Sequence, residues 1–565
     1  MKFKNWDISG FSRDTAAKLY REGINPLVSV FLTSRGITDI ENARVMIGDT
    51  SGDIYDPFLI PDMLRATERI HKAITNNERI AIYGDYDVDG MTSSAVLALW
   101  LKSKNADFEI YIPDRIGEGY CLNNAALDNI KSRGASLLIT VDCGITAIEE
   151  AKYAKSLGLD LIITDHHECR AELPAAIAIV DPKRSDCNYP NKDLAGVGVV
   201  FKLVCALEEN QLPDDLINDY CDLVAIGTIA DVMPIYGENR ELIRRGLQVL
   251  NKNPQPGVLA LLKQALPEFT KINAMTISFT IAPRLNAAGR MGHANLSVKL
   301  LLADEGHDAE SLAIELCKLN SDRRELEIDI FEDVVDVIKT QELDTSRPIV
   351  IAKQGWHQGV TGIVASKIAD RYRVPTIIIS IEDNDYNHGT CRSFGTFRMY
   401  QAISSCKDIL RGYGGHEAAA GITIAKENIS EFQMRIVDYY NNNYLPEADF
   451  NLRIDFEVEK PDLLSVENIN ALEKLEPFGN GNPFPCLCMN NTTLLSLRSI
   501  GDGKHSRFRI DKLGTGFDCI YFGVSSDALG VSEGELVDIA FEPQINEFRG
   551  RINVQLNVID IRKSQ

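Results

Sequence analysis

The chain has 565 residues, 45% of them hydrophobic and 25% charged, with a formal net charge of −22. That length exceeds a single hydrophobic core and calls for about two to four domains. The acidity excludes a protein coated all over with nucleic acid, because non-specific affinity comes from Lys and Arg neutralising phosphates, but it leaves room for a local basic groove. The twelve cysteines contain no C-x-x-C pair, so neither a zinc ribbon nor a disulfide framework is signalled. "MKFKNWDISG" lacks a signal-peptide core, and no run reaches the roughly eighteen apolar residues of a membrane span. A cytoplasmic protein without membrane contact is expected.

In chain order, residues 1–54 read as a helical lead-in, with "DTAAKLYREG" and "NPLVSVFLTSRG" each closed by Gly. From about residue 55 to 305, strand-like runs at "IAIY", "FEIYI", "SLLITV" and "LDLIIT" alternate with helical stretches such as "SAVLALWLKSK" and "AIEEAKYAKSLG". Such alternation predicts βαβ units and a parallel sheet covered on both faces. Residues 307–342 lack Pro and Gly and repeat apolar residues at three and four, which predicts a helix of about 50 Å within a 306–345 connector. A second α/β block at 346–450 has strands at "PIVIAK" and "PTIIIS" and a helix at "GIVASKIADRY". Residues 451–565 alternate apolar and polar positions, the pattern of a small antiparallel β-barrel.

The polar clusters follow the strand runs directly. "YGDYDVDGMTSS" sets Asp85, Asp87 and Asp89 at alternate positions. An EF-hand loop would need a bidentate Glu at its twelfth position, where Val96 stands, and an entering helix rather than the run "RIAIYG". Capping of a helix beginning near Thr92 would need only one of the three. "TDHHE" adds Asp165, His166 and His167, "VDCGIT" adds Asp142, and "LVAIGTIADVMP" adds Asp231. Ligands collect beyond the carboxyl ends of parallel strands, so these clusters are expected to converge on one crevice. Mixed carboxylate and imidazole donors suit divalent metals, and enough are present for two ions of the kind that serve phosphoryl transfer.

"GDYDVDGMTSS", "VDCGIT", "TDHH", "GTIADVMP", "APRLNAAGRMG", "GWHQGVTGIVASK" and "GGHEAAAG", in this order across nearly the whole chain, resemble the DHH phosphoesterase superfamily. The long form with connecting helix and β tail is similar to the RecJ family of bacterial single-strand-specific 5′→3′ DNA exonucleases. The resemblance implies a parallel-sheet DHH catalytic domain, a DHH-associated α/β domain across a cleft, and a C-terminal OB-fold. It also implies two manganese ions, with magnesium the alternative. Its metal ligands match Asp85, Asp87, Asp89, Asp142, His166 and Asp231; His167 matches the histidine facing the scissile phosphate, and Asp165 the group orienting the histidines. A catalytic role is thereby implied for His167, Asp165 and Asp142.

For the substrate, Arg284, Asn286 and Arg290 supply donors, while His357 and Gly359 stand just before a helix whose N–H groups can hold a phosphate. Gly415 and His416 lie in a glycine-rich turn. The resemblance places Arg115, Thr390 and Arg392 at a 5′-phosphate pocket, with Tyr120 and Ser393 among the nucleic-acid-binding residues. Thr390 stands where many relatives carry Ser, and Cys121 where many carry Gly. In the tail, residues 495–512 hold five Lys/Arg against two Asp, and Arg507 with Phe508 are expected to meet single-stranded bases. Expected partners are single-stranded DNA, a RecQ-type helicase and a single-strand-binding protein, with the chain a monomer. The alternative is a DHH phosphodiesterase acting on short oligoribonucleotides or cyclic dinucleotides, against which residues 451–565 argue. A non-catalytic DNA-binding scaffold would have lost metal carboxylates that this chain keeps.

Overall fold

The structure is a computed structural model that describes residues 3, 5–115, 118–119, 121–209, 214–266, 268, 271–383, 386–444 and 451–564. It divides into two compact units, Asp53–Pro446 and Met1–Gly52 with Glu447–Gln565.

In the Asp53–Pro446 unit a wholly parallel sheet sets Phe108–Tyr111, Ile80–Gly84, Leu137–Val141, Asp160–Thr164 and Ala178–Val180 side by side in that order. Every residue of Ile80–Gly84 and Leu137–Val141 is buried, which explains their continuous apolar runs. The four expected strands are present. Ala178–Val180 is a fifth, too short to show a pattern in sequence. Its neighbours end flush: Gly84 pairs with Val141, Val141 with Thr164, and Thr164 with Val180.

The helix expected near Thr92 begins earlier, at Val88, with Asp87 as its N-cap accepting from Gly90 N. It is buried on nearly all sides through Leu101, so its apolar residues show no stripe. Behind it a polar cluster closes on itself. The Lys202 ammonium lies 3.0 Å from Glu238 Oε1 and also donates to the Tyr55 carbonyl. The other Glu238 oxygen accepts from Tyr189 Oη at 2.6 Å, and Oε1 accepts from Tyr55 N at 3.2 Å. Both charged side chains are fully buried.

The long helix runs His307–Thr340. At its middle Arg323 donates to Glu327 at 2.6 Å, and Lys367 of the second sheet domain pairs with the same carboxylate. That domain's sheet has the order Leu410–Gly415, Ala419–Ile424, Asn387–Arg392, Thr376–Ile381, Ile349–Gln354, and only the last pair is parallel. The three antiparallel strands lie in glycine-rich sequence that weakens any strand signal.

The other unit contains a closed barrel. Leu487–Ile500, His505–Lys512, Thr515–Tyr521, Arg551–Lys563 and Leu536–Phe548 pair in turn, and the last pairs back to the first. Sequence reading set the first fifty residues apart from the tail, whereas the structure puts them in one unit. Asn5–Ile8 is a strand that pairs in parallel with Asn451–Ile454. Helix Pro26–Ser34, capped by Asn25 with Pro at its first turn, sends Leu27, Phe31 and Leu32 into one core with Phe456, Leu472 and Leu475. Among the described residues no helix is long and apolar enough to cross a membrane.

Candidate metal centre and anion pocket

The flush strand ends put four aspartates in one rank, since Asp85, Asp142, Asp165 and Asp181 each follow the last residue of adjacent parallel strands. Asp181 was missed in sequence because its strand is so short. Asp87 and Asp89 enter from the start of the buried helix, and Asp231 from just past helix Asp214–Ala230. Three donor groups result: Asp85 with Asp87 and Asp142, Asp89 with His166 and Asp231, and Asp142 with both histidines. Asp142 shares a group with Asp85 and Asp87 and also one with His166, as a carboxylate bridging two ions would.

The donors fit metal in a further respect. Asp142 Oδ1, Asp231 Oδ2 and His166 Nε2 are buried without a hydrogen-bond partner. His166 Nε2 stands 3.1 Å from Asp142 Oδ1 and 3.6 Å from Asp231 Oδ2. Buried acceptors facing one another carry a heavy penalty unless a cation sits among them. Burial and then the neighbouring carboxylates hold Asp142 well above the usual range, as burial and Asp87 do for Asp85. Burial followed by His167 pushes His166 down to about 3, leaving its ring neutral and its lone pair available.

Asp89 differs from its neighbours. Its two oxygens accept from Gly196 N at 2.6 Å and Val197 N at 2.8 Å, capping a helix whose own N-cap, Ala195, offers no side-chain acceptor. Gly196 is required here, since a Cβ would lie 2.6 Å from Asp142 Cβ.

Asp165 is an orienting group. It accepts from Ile145 N, His166 N and His167 N, and lies 2.7 Å from His167 Nδ1. Burial opposes a charge on His167, but the bond to Asp165 prevails and raises its pKa to about 9. Lys183, which sequence reading missed, lies two residues beyond Asp181; its ammonium is 3.4 Å from exposed Glu168, and its charge reaches His166, Asp231 and His416.

Beside the carboxylates, arginines gather. Arg115 stacks over the Tyr86 ring at 4.9 Å. Burial, then the charges of Arg115, Arg323 and Arg392, drives Arg290 down to about 9. Guanidiniums that depress one another in this way form a receptor for an anion. Arg290 ends a helix, Ala282–Arg290, preceded by a π-turn at Ile277–Ile281. Asn286 lies one turn before Arg290, while Arg284 turns back to the Thr280 carbonyl at 2.6 Å. His357 caps helix Gln358–Tyr372 through Gly359 N. Gly359 carries no Cβ because one would stand 2.0 Å from the Arg290 carbonyl oxygen, so this glycine lets the two helices touch.

Thr390 Oγ1 lies 3.3 Å from Thr361 Oγ1, and Arg392 donates to Ser366 Oγ at 3.2 Å, both beneath Gly362. The Ser393 hydroxyl instead donates to the Phe397 carbonyl within the second domain. Gly415, at φ +134°, turns the chain to His416, which Arg392 and His167 both influence. Cys121 has φ +75°, the left-handed region that favours glycine. Tyr120 lies outside the described residues.

The expectation for Phe508 is corrected: it is 2% exposed in the barrel core and cannot stack on bases. Along His505–Lys512 alternate residues face opposite sides, so Arg507 points away from the side on which Phe508 is buried. Exposed Phe548, with Arg549 over its ring at 5.2 Å, forms an aromatic–cation pair at the barrel surface.

Comparison with known proteins agrees with this geometry. Residues 79–228 match the DHH family N-terminal domain, 346–442 the DHHA1 domain and 454–560 the RecJ OB domain. The chain is 40% identical over 569 residues to the single-stranded-DNA-specific exonuclease RecJ of Bacillus subtilis, covering 99% of this chain and 71% of that protein. It is 33% identical to the Escherichia coli RecJ over 88% of this chain and 89% of that one. The crystal structure of Thermus thermophilus RecJ in complex with Mn2+ superimposes with a TM-score of 0.84 at 28% identity, covering 99% of this chain and 80% of that one. A Mg2+ complex from the same organism gives 0.79.

Proposed function

Because the chain belongs to the RecJ family of the DHH superfamily, we propose that it hydrolyses single-stranded DNA from the 5′ end to mononucleotides with two divalent ions. The observation that carries this reading is the set of buried, unpartnered donor atoms on Asp142, Asp231 and His166, set beside a pocket of arginines. Asp85, Asp87 and Asp142 would hold one ion, and Asp89, His166 and Asp231 the other, with Asp142, which also groups with His166, between them; Asp89 in addition braces the loop through the helix it caps. Carboxylate with imidazole favours manganese. When bound, the ions supply Lewis acidity and a water ionised near neutral pH.

The protein's own groups do the rest. Asp165 fixes the His167 ring, and the proton that His167 keeps up to about pH 9 is aimed at a non-bridging oxygen of the scissile phosphate. Arg115 and Arg392, with Thr390, take the terminal 5′ phosphate, and forked guanidiniums bind it on two edges. Arg290, with Asn286 and Lys183, offsets charge that grows in the transition state. His357 and His416, on the second domain, hold the following phosphodiester. One chain contains the whole cluster, which supports action as a monomer. A RecQ-type helicase and a single-strand-binding protein suit an enzyme that consumes strands.

The test uses an internally labelled single strand with a 5′ phosphate, the same strand blocked at its 5′ end, and a blunt duplex. Release of mononucleotides from the open strand alone, with Mn2+ and not with EDTA, is expected, together with its loss in Asp142→Ala. Binding without release would indicate a scaffold. Turnover of a dinucleotide alone would indicate the small-substrate phosphodiesterase.

A further inference from the structure

Arg115 and Arg392, two arginines of the anion pocket, are mounted in different ways. Arg392 spends donors on the protein, Nε on Ser366 Oγ at 3.2 Å and Nη1 on the Cys391 carbonyl at 2.9 Å. Among the described residues Arg115 makes no hydrogen bond and no ion pair; its guanidinium lies over the Tyr86 ring at 4.9 Å. A planar guanidinium directs its N–H groups outward along its edges, so support on its face leaves the whole fork for a ligand. The charge of Arg115 still reaches Asp85, Arg290 and Arg392. Three guanidiniums so placed repel one another until an anion joins them.

The ring beneath Arg115 is itself fixed. Tyr86 stands between Asp85 and Asp87, its N–H donates to Asp85 Oδ1 at 2.7 Å, and its half-buried ring packs against the main hydrophobic core. Its carbonyl faces Gly289, where a Cβ would come within 2.2 Å of that oxygen. The metal loop, the helix ending in Arg290 and the perch of Arg115 therefore meet in one residue.

Glu118 holds the loop that bears Arg115. Its carboxylate accepts from Tyr111 Oη at 2.7 Å, Asp114 N at 3.2 Å and Asn123 Nδ2 at 3.4 Å. One side chain thus ties both ends of the loop to the end of strand Phe108–Tyr111. Tyr111 in turn stacks on Tyr83 with centroids 5.4 Å apart, and Tyr83 Oη donates to the Cys121 carbonyl at 2.8 Å. Glu118 is exposed and belongs to none of the metal-donor groups.

We propose that Tyr86 and Glu118 are positioning residues that hold Arg115 for the terminal phosphate, and so set the preference for a 5′-phosphorylated over a 5′-hydroxyl strand. The inference rests on the exonuclease reading above. Because Tyr86 lies within the metal loop, the end phosphate is registered against the metal ligands themselves, and a strand lacking that phosphate loses the register.

The test measures kcat/KM for one single strand carrying either a 5′ phosphate or a 5′ hydroxyl, on the full chain with Mn2+. Arg115→Ala is expected to lower the ratio of the two roughly a hundredfold, the scale of hydrogen bonds to a charged group. Tyr86→Leu and Glu118→Ala should each lower it about tenfold, the scale of a lost cation–π contact, while Tyr86→Phe, which keeps the ring, should retain it. In the Arg115→Ala background neither should lower it further, as residues acting through Arg115 require. Equal losses on both strands would overturn the proposal and assign Tyr86 to the support of Asp85 and Asp87. A further fall in the Arg115→Ala background, or a loss in Tyr86→Phe equal to that in Tyr86→Leu, would overturn it as well. Should Tyr86→Leu fail to fold, Glu118→Ala, in an exposed loop, carries the same two outcomes. An unaltered protein that cut both strands equally would also overturn it. If that protein cut neither strand, the exonuclease reading itself would fall, a separate result.

Discussion

Two buried polar clusters lie within the same α/β unit and differ in one respect. Around Lys202 and Glu238 every buried charge has a partner, supplied by Tyr55 and Tyr189. Around Asp142 the carboxylates face one another and His166, and several of their atoms have no hydrogen bond. The closed cluster has satisfied itself and is structural. The open one is left unsatisfied by the protein and so is reserved for something else. Satisfaction, rather than burial or charge, separates a support from a site.

Substitutions test that contrast, in falling order of the turnover lost per folded molecule. Asp142→Ala should cost about a thousandfold or more, since a single preorganised electrostatic group is commonly worth that much. In EDTA its melting temperature should hold or rise, because Asp85, Asp87, Asp89 and Asp231 all repel this carboxylate. A fall in melting temperature would make the cluster structural after all. Gly196→Ala, whose Cβ would meet Asp142, should cost about a hundredfold, the scale of a 1 Å misplacement.

Asp165→Asn should cost about ten- to a hundredfold, as loss of an orienting partner does. It should also move the alkaline limb of the pH–rate profile. His167 donates only when protonated, and Asp165 raises its pKa to about 9, so removing that charge lowers the pKa and activity fades at lower pH. An unmoved limb would separate His167 from that titration. Lys202→Met should leave turnover per folded molecule unchanged while costing about 3–5 kcal/mol in urea unfolding, because the buried Glu238 carboxylate loses its countercharge and keeps only the Tyr189 and Tyr55 hydrogen bonds. Equal losses of activity and stability in Lys202→Met would erase the distinction between the clusters.

The sequence displayed the open cluster more plainly than the closed one. Asp85, Asp142 and Asp165 end apolar strand runs, and the order of motifs does the rest. Asp181 escaped because three residues make too short a strand to show a pattern, and Lys183 escaped with it. The role of Asp89 as cap to a helix more than a hundred residues away rests on tertiary contact that no local pattern encodes. The long helix and the barrel were legible from their periods. The antiparallel strands of the second sheet were not, since "GYGG" reads as a turn and the glycine in "HGTCR" weakens any strand pattern. Phe508 misled because basic neighbours suggested a surface, whereas strand alternation puts its ring inside.

The pairing of Asn5–Ile8 with Asn451–Ile454 has a consequence during synthesis. Trp6 donates to Asp560, a partner 554 residues further along. At about 5–20 residues per second the ribosome takes roughly half a minute to two minutes to supply it. Throughout that time the first helices are outside the exit tunnel with Leu27, Phe31 and Leu32 uncovered, while the Asp53–Pro446 unit can already fold. A message cut short near its 3′ end would therefore yield a chain whose catalytic unit is complete but whose opening residues stay exposed, a substrate for chaperones and proteases.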